Sequence, residues 1–374
     1  MRIARLLAVA RKEIIQIRRD PRSLGMAFVI PMILLFLYGY ALTLDVDRLK
    51  TIVYDQDQSA TSREFLEQFT ATRYFTRVAR AENYRDVEWA LDSGRAQVAL
   101  VIPRNFARDL ALGRRVPVQA LLDGSDSNTA TIALNYLEGI AARYSTRIVA
   151  ERLGVNPRDL PVEGRLRVWF NPELQSKNYI VPGLIAVIMM VIAALLTSLT
   201  VAREWERGTM EQLIATPIRV PELILGKLLP YVGIGFVDVV LSVLVGTTVF
   251  GVPFRGSLPL LLILSLVFLL GALGLGMLVS IKTKSQILAS QAAMVVTFLP
   301  AFLLSGFVFD IANMPGWLQA ITHVVPARYF VTILKGIFLK GVGLRVLGME
   351  VLFLALFSLV VMTAAHRAFR KSLE

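Results

Sequence analysis

The residues whose types and spacing could do chemistry are concentrated in one charged segment, REWERGTMEQLIATPIRVPELILGK, residues 203–227. It lies between two strongly apolar stretches, and a simple turn would need far fewer residues. Its charges balance: the acids are Glu204, Glu206, Glu211 and Glu222, and the bases are Arg203, Arg207, Arg219 and Lys227.

The same segment carries the signals of a short helix. Gly208 interrupts the preceding pattern, and Thr209 with Gln212 has the spacing of a capping box. Pro217 would end the helix. Its apolar side would consist of Met210, Leu213 and Ile214. The pattern predicts a short amphipathic helix that fits a groove of another protein and transmits a push, with a solvated hairpin as the alternative.

No arrangement of residues indicates an enzyme. The phosphate-binding pattern GxxxxGK[ST] does not occur, since at Gly226-Lys227 Pro221 stands where the first glycine is needed. His323 and His366 have no metal-ligand spacing around them, and cysteine is absent. We therefore expect no catalytic residue, no metal site and no cofactor bound by this chain.

The elements that position the charged segment are membrane helices. The chain is 55% hydrophobic with a mean hydropathy of +0.60, which points to the membrane class. Crossing a bilayer takes roughly 20 apolar residues. Six stretches qualify: 24–44, 179–202, 228–251, 258–281, 286–309 and 346–365. The sequence predicts an α-helical polytopic membrane protein with six transmembrane helices.

The distribution of Lys and Arg predicts the orientation of these helices. Residues 1–23 and the tail 366–374 are basic, and short basic flanks stay in the cytoplasm. With six spans both termini and the region 203–227 lie inside, whereas 45–178 and 310–345 lie outside. The segment 310–345 is an exception to the rule because it is itself basic.

The segment 45–178 has the sequence pattern of a folded domain. Its β-like runs alternate with helical patterns, the last of them from about Ser125 to Leu153, which predicts a compact extracytoplasmic α/β domain. The alternative is a spacer with no binding role. The β-like runs are 51–54, 75–79, 97–102 and 116–122.

The N-terminal stretch 1–23 predicts an amphipathic helix on the membrane surface. A basic helix beside a span lies along the interface with its cations facing anionic headgroups. Pro21 would stop it, because the residue before proline disfavours helix. The apolar stripe is formed by Ile3, Leu6, Leu7, Ala10, Ile14 and Ile17.

Asp238 is the one acid well inside a predicted span. An ionised carboxylate there is costly unless it is partnered or wet, so Asp238 is a candidate functional residue, with the hypothesis that it lines a path across the membrane. A polar contact within the bundle, or a different span boundary, is an equally good interpretation.

Three stretches of the chain resemble one family. REWERGTMEQLIATP is similar to the cytoplasmic signature of the ABC transporter type-2 permeases, the membrane subunits of ATP-driven exporters. The start, RKEIIQIRRDPRSLGMAFVIPMILLFLYGYAL, and the later stretch 302–341 also resemble that family. The arrangement of one span, a large outer domain and five further spans is most similar to multidrug-type efflux permeases.

The resemblance implies roles for particular residues. The signature would form the element that couples to the ATPase subunit, in which Glu204 and Glu206 contact the partner or brace the helix. The coupling residues would be Arg203, Glu204, Glu206, Gly208, Thr209, Glu211, Leu213 and Pro217. The segment 310–345 would dip into the outer leaflet as short re-entrant helices that include Trp317, Pro326, Arg328 and Tyr329.

The resemblance also implies partners and a location. The expected partners are an ABC ATPase subunit that carries ATP and Mg²⁺, a second permease subunit, membrane lipids and, in a two-membrane host, a periplasmic adaptor protein. The chain would lie in the inner (plasma) membrane, bind no nucleic acid, and export lipophilic or amphipathic, drug-like compounds. The alternatives are a non-transporting sensor or scaffold whose outer domain binds a ligand, and an ion-driven secondary carrier.

Overall fold

The computed structural model describes residues 2–42, 48–154, 169–173 and 175–369. The chain divides into two compact units. One consists of Leu44–Arg167, and the other combines Met1–Thr43 with Val168–Glu374. The end of the predicted tail, 370–374, lies outside the described residues.

The N-terminal part of the larger unit begins with helix α1, Ile3–Arg18. The region predicted as the first span then contains α2, Pro21–Leu24, a π-helical turn, Gly25–Val29, and α3, Ile30–Ala41. Pro31 lacks an N–H group and cannot bond back to the preceding turn, which suits the wider turn directly before it.

The smaller unit contains a four-stranded sheet. Its strands are β1 Leu49–Asp55, β2 Phe75–Arg80, β3 Val98–Ile102 and β4 Gln119–Leu122, in the order β2-β1-β3-β4. The pairs β1–β2 and β1–β3 are parallel, and β3–β4 is antiparallel. Each strand overlaps one of the four runs that the sequence predicted.

Helices cover both faces of this sheet. They are α4 Ala60–Thr70, α5 Tyr84–Asp92, α6 Phe106–Ala111 and α7 Ser127–Leu153. Phe65 of α4, Phe106 of α6 and Tyr144 of α7 share one core with the strands. Val87 of α5 packs with Ile52 and other residues in a second core. β3 is buried along its whole length, as expected for a central strand covered on both faces.

Among the residues that the structure describes, five helices of the larger unit are long and apolar enough to cross a membrane. They are α8 Ser176–Glu206, α10 Val220–Thr248, α11 Leu258–Thr283, α12 Gln286–Leu303 and α15 Leu344–Ala368. A shorter apolar helix covers Gly25–Ala41. A polytopic, mostly helical membrane fold is confirmed, whereas the count of six spans stays a prediction.

α8 is the central helix of the larger unit, since nearly every residue of its apolar stretch is buried. Small residues in the stretch 271–280 allow close packing between helices. A Cβ at Gly276 would overlap the Ala194 carbonyl oxygen and the Thr197 hydroxyl of α8, and one at Gly271 would meet Ser358 of α15.

Short helices complete the unit. α9 is Thr209–Ala215, α13 is Gly316–Thr322, and α14 is Pro326–Lys335, followed by a π-helical turn, Gly336–Lys340. α14 is almost wholly buried, and Phe330 stacks on Phe268 of α11 with ring centroids 4.0 Å apart. α13 and α14 are each too short to span a bilayer.

Candidate functional site

The short helix α9 is held between two long helices. α8 ends at Glu206, and Gly208 adopts a φ of +68°, the left-handed conformation that glycine tolerates best, so the chain can turn into α9. α9 then packs through Met210, which is fully buried. α10 starts at Val220 with Pro221 in its first turn.

The predicted capping box does not form. Gly208, not Thr209, is the N-cap of α9, and no side chain caps it. The Thr209 hydroxyl instead donates to the Glu204 carboxylate. The pattern was misinterpreted because a buried carboxylate one turn earlier competes for the hydroxyl.

Four charges meet behind α9, and we name them the four-charge cluster: Lys12, Glu13, Glu204 and Lys227. The Lys227 ammonium donates to Glu13 and lies 3.2 Å from Glu204 Oε1. The Lys12 ammonium donates to Glu204 and lies 3.8 Å from Glu13 Oε1. Two acids and two bases thus alternate and join α1, α8 and α10.

Most of this cluster is withdrawn from solvent. Glu13 and Lys227 are each 1% exposed and Glu204 is 3% exposed, whereas Lys12 reaches the surface. A buried charge is costly unless it is paired and hydrogen-bonded. Here each buried charge has an opposite partner, so the cluster holds its helices in one arrangement.

Glu204 is ionised in this environment. It follows the apolar stretch 179–202 and lies outside it. Burial raises the pKa of its carboxyl group, but the Lys227 and Lys12 ammonium groups and the Thr209 hydroxyl outweigh burial and lower the pKa to about 2. The negative charge is therefore permanent at neutral pH.

The N-terminal helix α1 is fastened to the same region. The Glu222 carboxylate accepts from the Arg2 N–H at 2.6 Å and from the Arg219 N–H at 3.0 Å. The Arg5 guanidinium donates to the Pro217 carbonyl. Val9 and Leu6 approach α10 at Gly226, where a Cβ would lie 2.8 Å from Val9 Cβ. α1 is thus a packed part of the site.

The predicted apolar stripe of α1 is divided between two surroundings. Ala10 and Ile17 pack inward together with Val9 and Glu13. Ile3 and Leu7 remain 70% and 53% exposed, and Ile14 is exposed as well. The outward part keeps the character expected of a helix at a membrane surface, which stays a prediction.

Two further signature residues tie α8 to its neighbours. The Glu206 carboxylate accepts from the Gln286 N–H at 2.7 Å and from the Gln286 side chain, and these bonds lower the pKa of Glu206. They satisfy the first turn of α12. The Arg203 guanidinium lies 3.2 Å from Asp20 Oδ2 and is largely buried.

The predicted coupling residues therefore divide into two groups. The side chains of Arg203, Glu204, Glu206 and Thr209 contact other residues of the chain, and Leu213 packs against the hydrophobic core of the larger unit. Gly208, Glu211 and Pro217 are exposed. Gln212 and Ala215, which were not among the predicted coupling residues, are also exposed. These exposed residues form the free face of α9.

The other predicted residues lie elsewhere. Asp238 is on α10, 11 residues or roughly 16 Å beyond Lys227, and within the described ranges its buried Oδ1 has no hydrogen-bond partner. Arg328 of α14 donates to Thr322, and Tyr329 donates to the His323 carbonyl at 2.8 Å, so they fix the corner between α13 and α14. Trp317 on α13 is exposed, and Pro326 starts α14.

The sequence analysis assigned no role to Glu13, Lys227 or Glu222, although the latter two were counted among the charges of the segment 203–227. Glu13 gave a signal, because it lies one turn from Val9 and Ile17 on the inward side of α1, where a lone acid needs a partner. Its partner Lys227 is 214 residues away, a separation that no local pattern spans.

These features define a multi-pass membrane protein with a short braced helix between two membrane helices. The chain belongs to the ABC-2 family transporter proteins, whose family model matches residues 21–367. It is 41% identical over 336 residues to the probable multidrug ABC transporter permease YbhS of Escherichia coli, covering 90% of this chain and 88% of that protein.

Two other relatives cover similar lengths. The probable multidrug ABC transporter permease YbhR of Escherichia coli is 33% identical, with 90% of each chain covered. The linearmycin resistance permease protein LnrN of Bacillus subtilis is 20% identical, covering 98% of this chain and 99% of that protein.

Proposed function

We propose that this chain is the permease subunit of an ATP-driven exporter and that α9 receives the mechanical input. ATP and Mg²⁺ bind to a separate ATPase subunit, which docks on the free face of α9. The observation that carries this proposal is the four-charge cluster, because it ties α9's neighbours α8 and α10 to α1. A push on α9 would therefore move several helices together.

The complex would be a dimer of permease subunits with two ATPase subunits. Both termini and α9 would lie in the cytoplasm, the sheet-containing unit outside, and the segment 310–345 in the outer leaflet, completing six spans in the inner membrane. Nucleotide-driven closure of the ATPase pair would rearrange the interface between the two permeases. The outer unit would dock a periplasmic adaptor where the host has two membranes.

The cargo would be lipophilic or amphipathic and would move outward. The names of YbhS and YbhR refer to multidrug transport and that of LnrN to linearmycin resistance, which supports export of such compounds. Asp238 would line the path: its carboxylate is buried and, among the described residues, partly unpaired. Unchanged export by an Asp238→Asn variant would show that this residue is only structural.

Co-purification tests the proposal directly. The tagged chain, purified from its native host in mild detergent, is expected to bring with it an ATPase that contains a phosphate loop. Glu211→Lys reverses a charge on the free face of α9 and should reduce the recovered ATPase about tenfold, the effect of losing roughly 1.4 kcal/mol of binding.

A matched control separates docking from folding. Glu138→Lys makes the same charge change on an exposed position of α7 and should leave ATPase recovery unaltered. Both variants should melt within a degree or so of the parent, since exposed substitutions change stability by about 0.5 kcal/mol or less. If the purified chain alone moved solute in vesicles without any ATPase, the proposal would be wrong.

A further inference from the structure

A cleft of about 760 Å³ lies on the side of α1 that carries Lys12 and Arg19. It is enclosed by the C-terminal half of α1, the end of α8 and the start of α12. Four cationic side chains line it: Lys12, Arg19, Arg203 and Arg207. Asp20 is the acid that lines it with them.

The four cations differ in whether each already has a partner within the chain. Lys12 donates to Glu204, and the Arg203 guanidinium lies against Asp20 and, at 3.4 Å from Nε, Gln286 Oε1. Arg19 and Arg207 are exposed, and no carboxylate of the described ranges lies within ion-pair distance of either. The cleft thus has an excess of positive charge with two guanidinium groups available.

The cleft also has an apolar lining. Ile15 of α1, Met26 of the π-helical turn and Leu199 of α8 form it. Met26 belongs to the apolar stretch 24–44 and Leu199 to the stretch 179–202. Arg203 directly follows the second stretch, and Arg207 lies about one helical turn further on. Apolar surface and guanidinium groups therefore meet at the level where a bilayer would give way to water.

We propose that this cleft binds the headgroup of an anionic phospholipid. The phosphate would bridge Arg19 and Arg207, since guanidinium groups present paired N–H donors to phosphate oxygens. The acyl chains would lie along Ile15, Met26 and Leu199. Basic pockets between helices at a membrane surface are suited to this class of ligand, and the apolar wall favours a lipid over an acidic protein segment.

The bound lipid would act on the site described above. Arg19 directly follows α1, and Arg207 directly precedes the turn into α9. A headgroup that contacts both would add a bridge between α1 and the coupling helix. The inference does not depend on an ATPase partner, because it needs only that α8 ends at a membrane surface.

The test uses the full chain purified in detergent and stripped of lipid. Native mass spectrometry and melting temperature are recorded with phosphatidylglycerol and with phosphatidylcholine of the same acyl chains. We expect phosphatidylglycerol to bind about tenfold more tightly and to raise the melting temperature, as a ligand of the folded state does. Arg19→Gln/Arg207→Gln should abolish this preference, and each single substitution should reduce it.

The control is Arg11→Gln/Arg18→Gln, which removes two charges from exposed positions of α1 that do not line the cleft. It should retain the preference, and an equal loss would show diffuse surface attraction and overturn the site. sn-Glycerol phosphate and inorganic phosphate are tested as free anions, and stabilisation equal to that by the lipid would overturn the lipid assignment. If the Arg19→Gln/Arg207→Gln variant keeps its lipid preference but no longer co-purifies with the ATPase, the cleft is a protein contact instead.

Discussion

At the scale of single residues, the site depends on charges that are far apart in the chain. Glu204 contacts Lys12 and Lys227, which are 192 and 23 residues away. Each would be costly to bury alone, and only their mutual pairing makes the arrangement favourable. The cluster therefore behaves as one unit whose members cannot be removed singly without a penalty.

A double-mutant cycle should reveal this coupling. Lys227→Met leaves Glu13 and Glu204 buried with one ammonium group between them and should destabilise the folded protein by about 3–5 kcal/mol. Glu13→Gln/Lys227→Met removes one charge of each sign and should cost clearly less than the two single changes combined. Melting temperatures in detergent are measured for Glu13→Gln, Lys227→Met and the double variant, with exposed Glu211→Gln as the neutral reference. Additive effects would contradict a coupled cluster.

The lowered pKa of Glu204 predicts a pH dependence. The folded-state pKa is about 2 and the ordinary value is 4.5. Because the folded value is the lower one, the stabilisation is complete above pH 4.5 and is lost as the pH falls towards 2. At neutral pH, the ionised Glu204 stabilises the folded protein by an amount on the order of 3 kcal/mol.

Glu204→Gln cannot lose a proton and should flatten this part of the stability profile. Melting temperatures of the parent and the variant, measured at steps between pH 7 and pH 3, should converge on the acid side. Parallel profiles would show that Glu204 is not the group that titrates.

At the scale of elements, α1 is a structural part of the site around α9. Its contact with α10 is tightest at Gly226, where the Leu6 carbonyl oxygen and Val9 leave no space for a side chain. Helices approach this closely only where one of them presents a small residue. The glycine therefore determines where α1 lies along α10.

Gly226→Ala should loosen α1. The added Cβ would lie 2.9 Å from the Leu6 carbonyl oxygen, so the helix must shift, at a cost of about 1–3 kcal/mol. Limited trypsin digestion should then cut faster at the arginines of α1. Gly233→Ala, on the same helix with nothing within 4 Å of the new Cβ, is the control and should digest like the parent. Equal digestion of both variants would count against a tight α1–α10 contact.

Elements with a strong local signal could be predicted from the sequence. Long apolar runs predicted α8, α10, α11 and α15, because chain length and hydropathy alone select such helices. Gly208 and Pro217 indicated the limits of α9 for a similarly local reason. The predicted N-cap of α9 was wrong because the Thr209 hydroxyl donates to the Glu204 carboxylate, a contact that depends on the packed end of α8.

Tertiary arrangement accounts for what the sequence did not predict. The inward face of α1 contains a glutamate and the outward face contains isoleucine and leucine, so hydropathy alone cannot tell which side packs. The pairing of Glu13 with Lys227 and of Glu222 with the Arg2 N–H follows only once α1 lies across α10. Long-range ion pairs leave no trace in local periodicity.

At the scale of the whole molecule, the absence of cysteine allows a direct test of orientation. The positive-inside rule predicts that α9 lies in the cytoplasm and the sheet-containing unit outside. Single cysteines can therefore be introduced by Gln212→Cys on α9 and Ser125→Cys before α7, both at exposed positions. A membrane-impermeant maleimide then reports which side of the membrane each one faces.

Sealed right-side-out vesicles should label the Ser125→Cys variant and leave the Gln212→Cys variant unlabelled, and inverted vesicles should give the reverse. Permeabilisation should make the two labels equal, which controls for intrinsic reactivity. Trp317→Cys on exposed α13 should behave like Ser125→Cys if the segment 310–345 faces the outer side. Labelling of Gln212→Cys from outside would place α9 where no ATPase could reach it. In that orientation the braced helix could not couple nucleotide hydrolysis to transport, because ATP is present on the opposite side of the membrane.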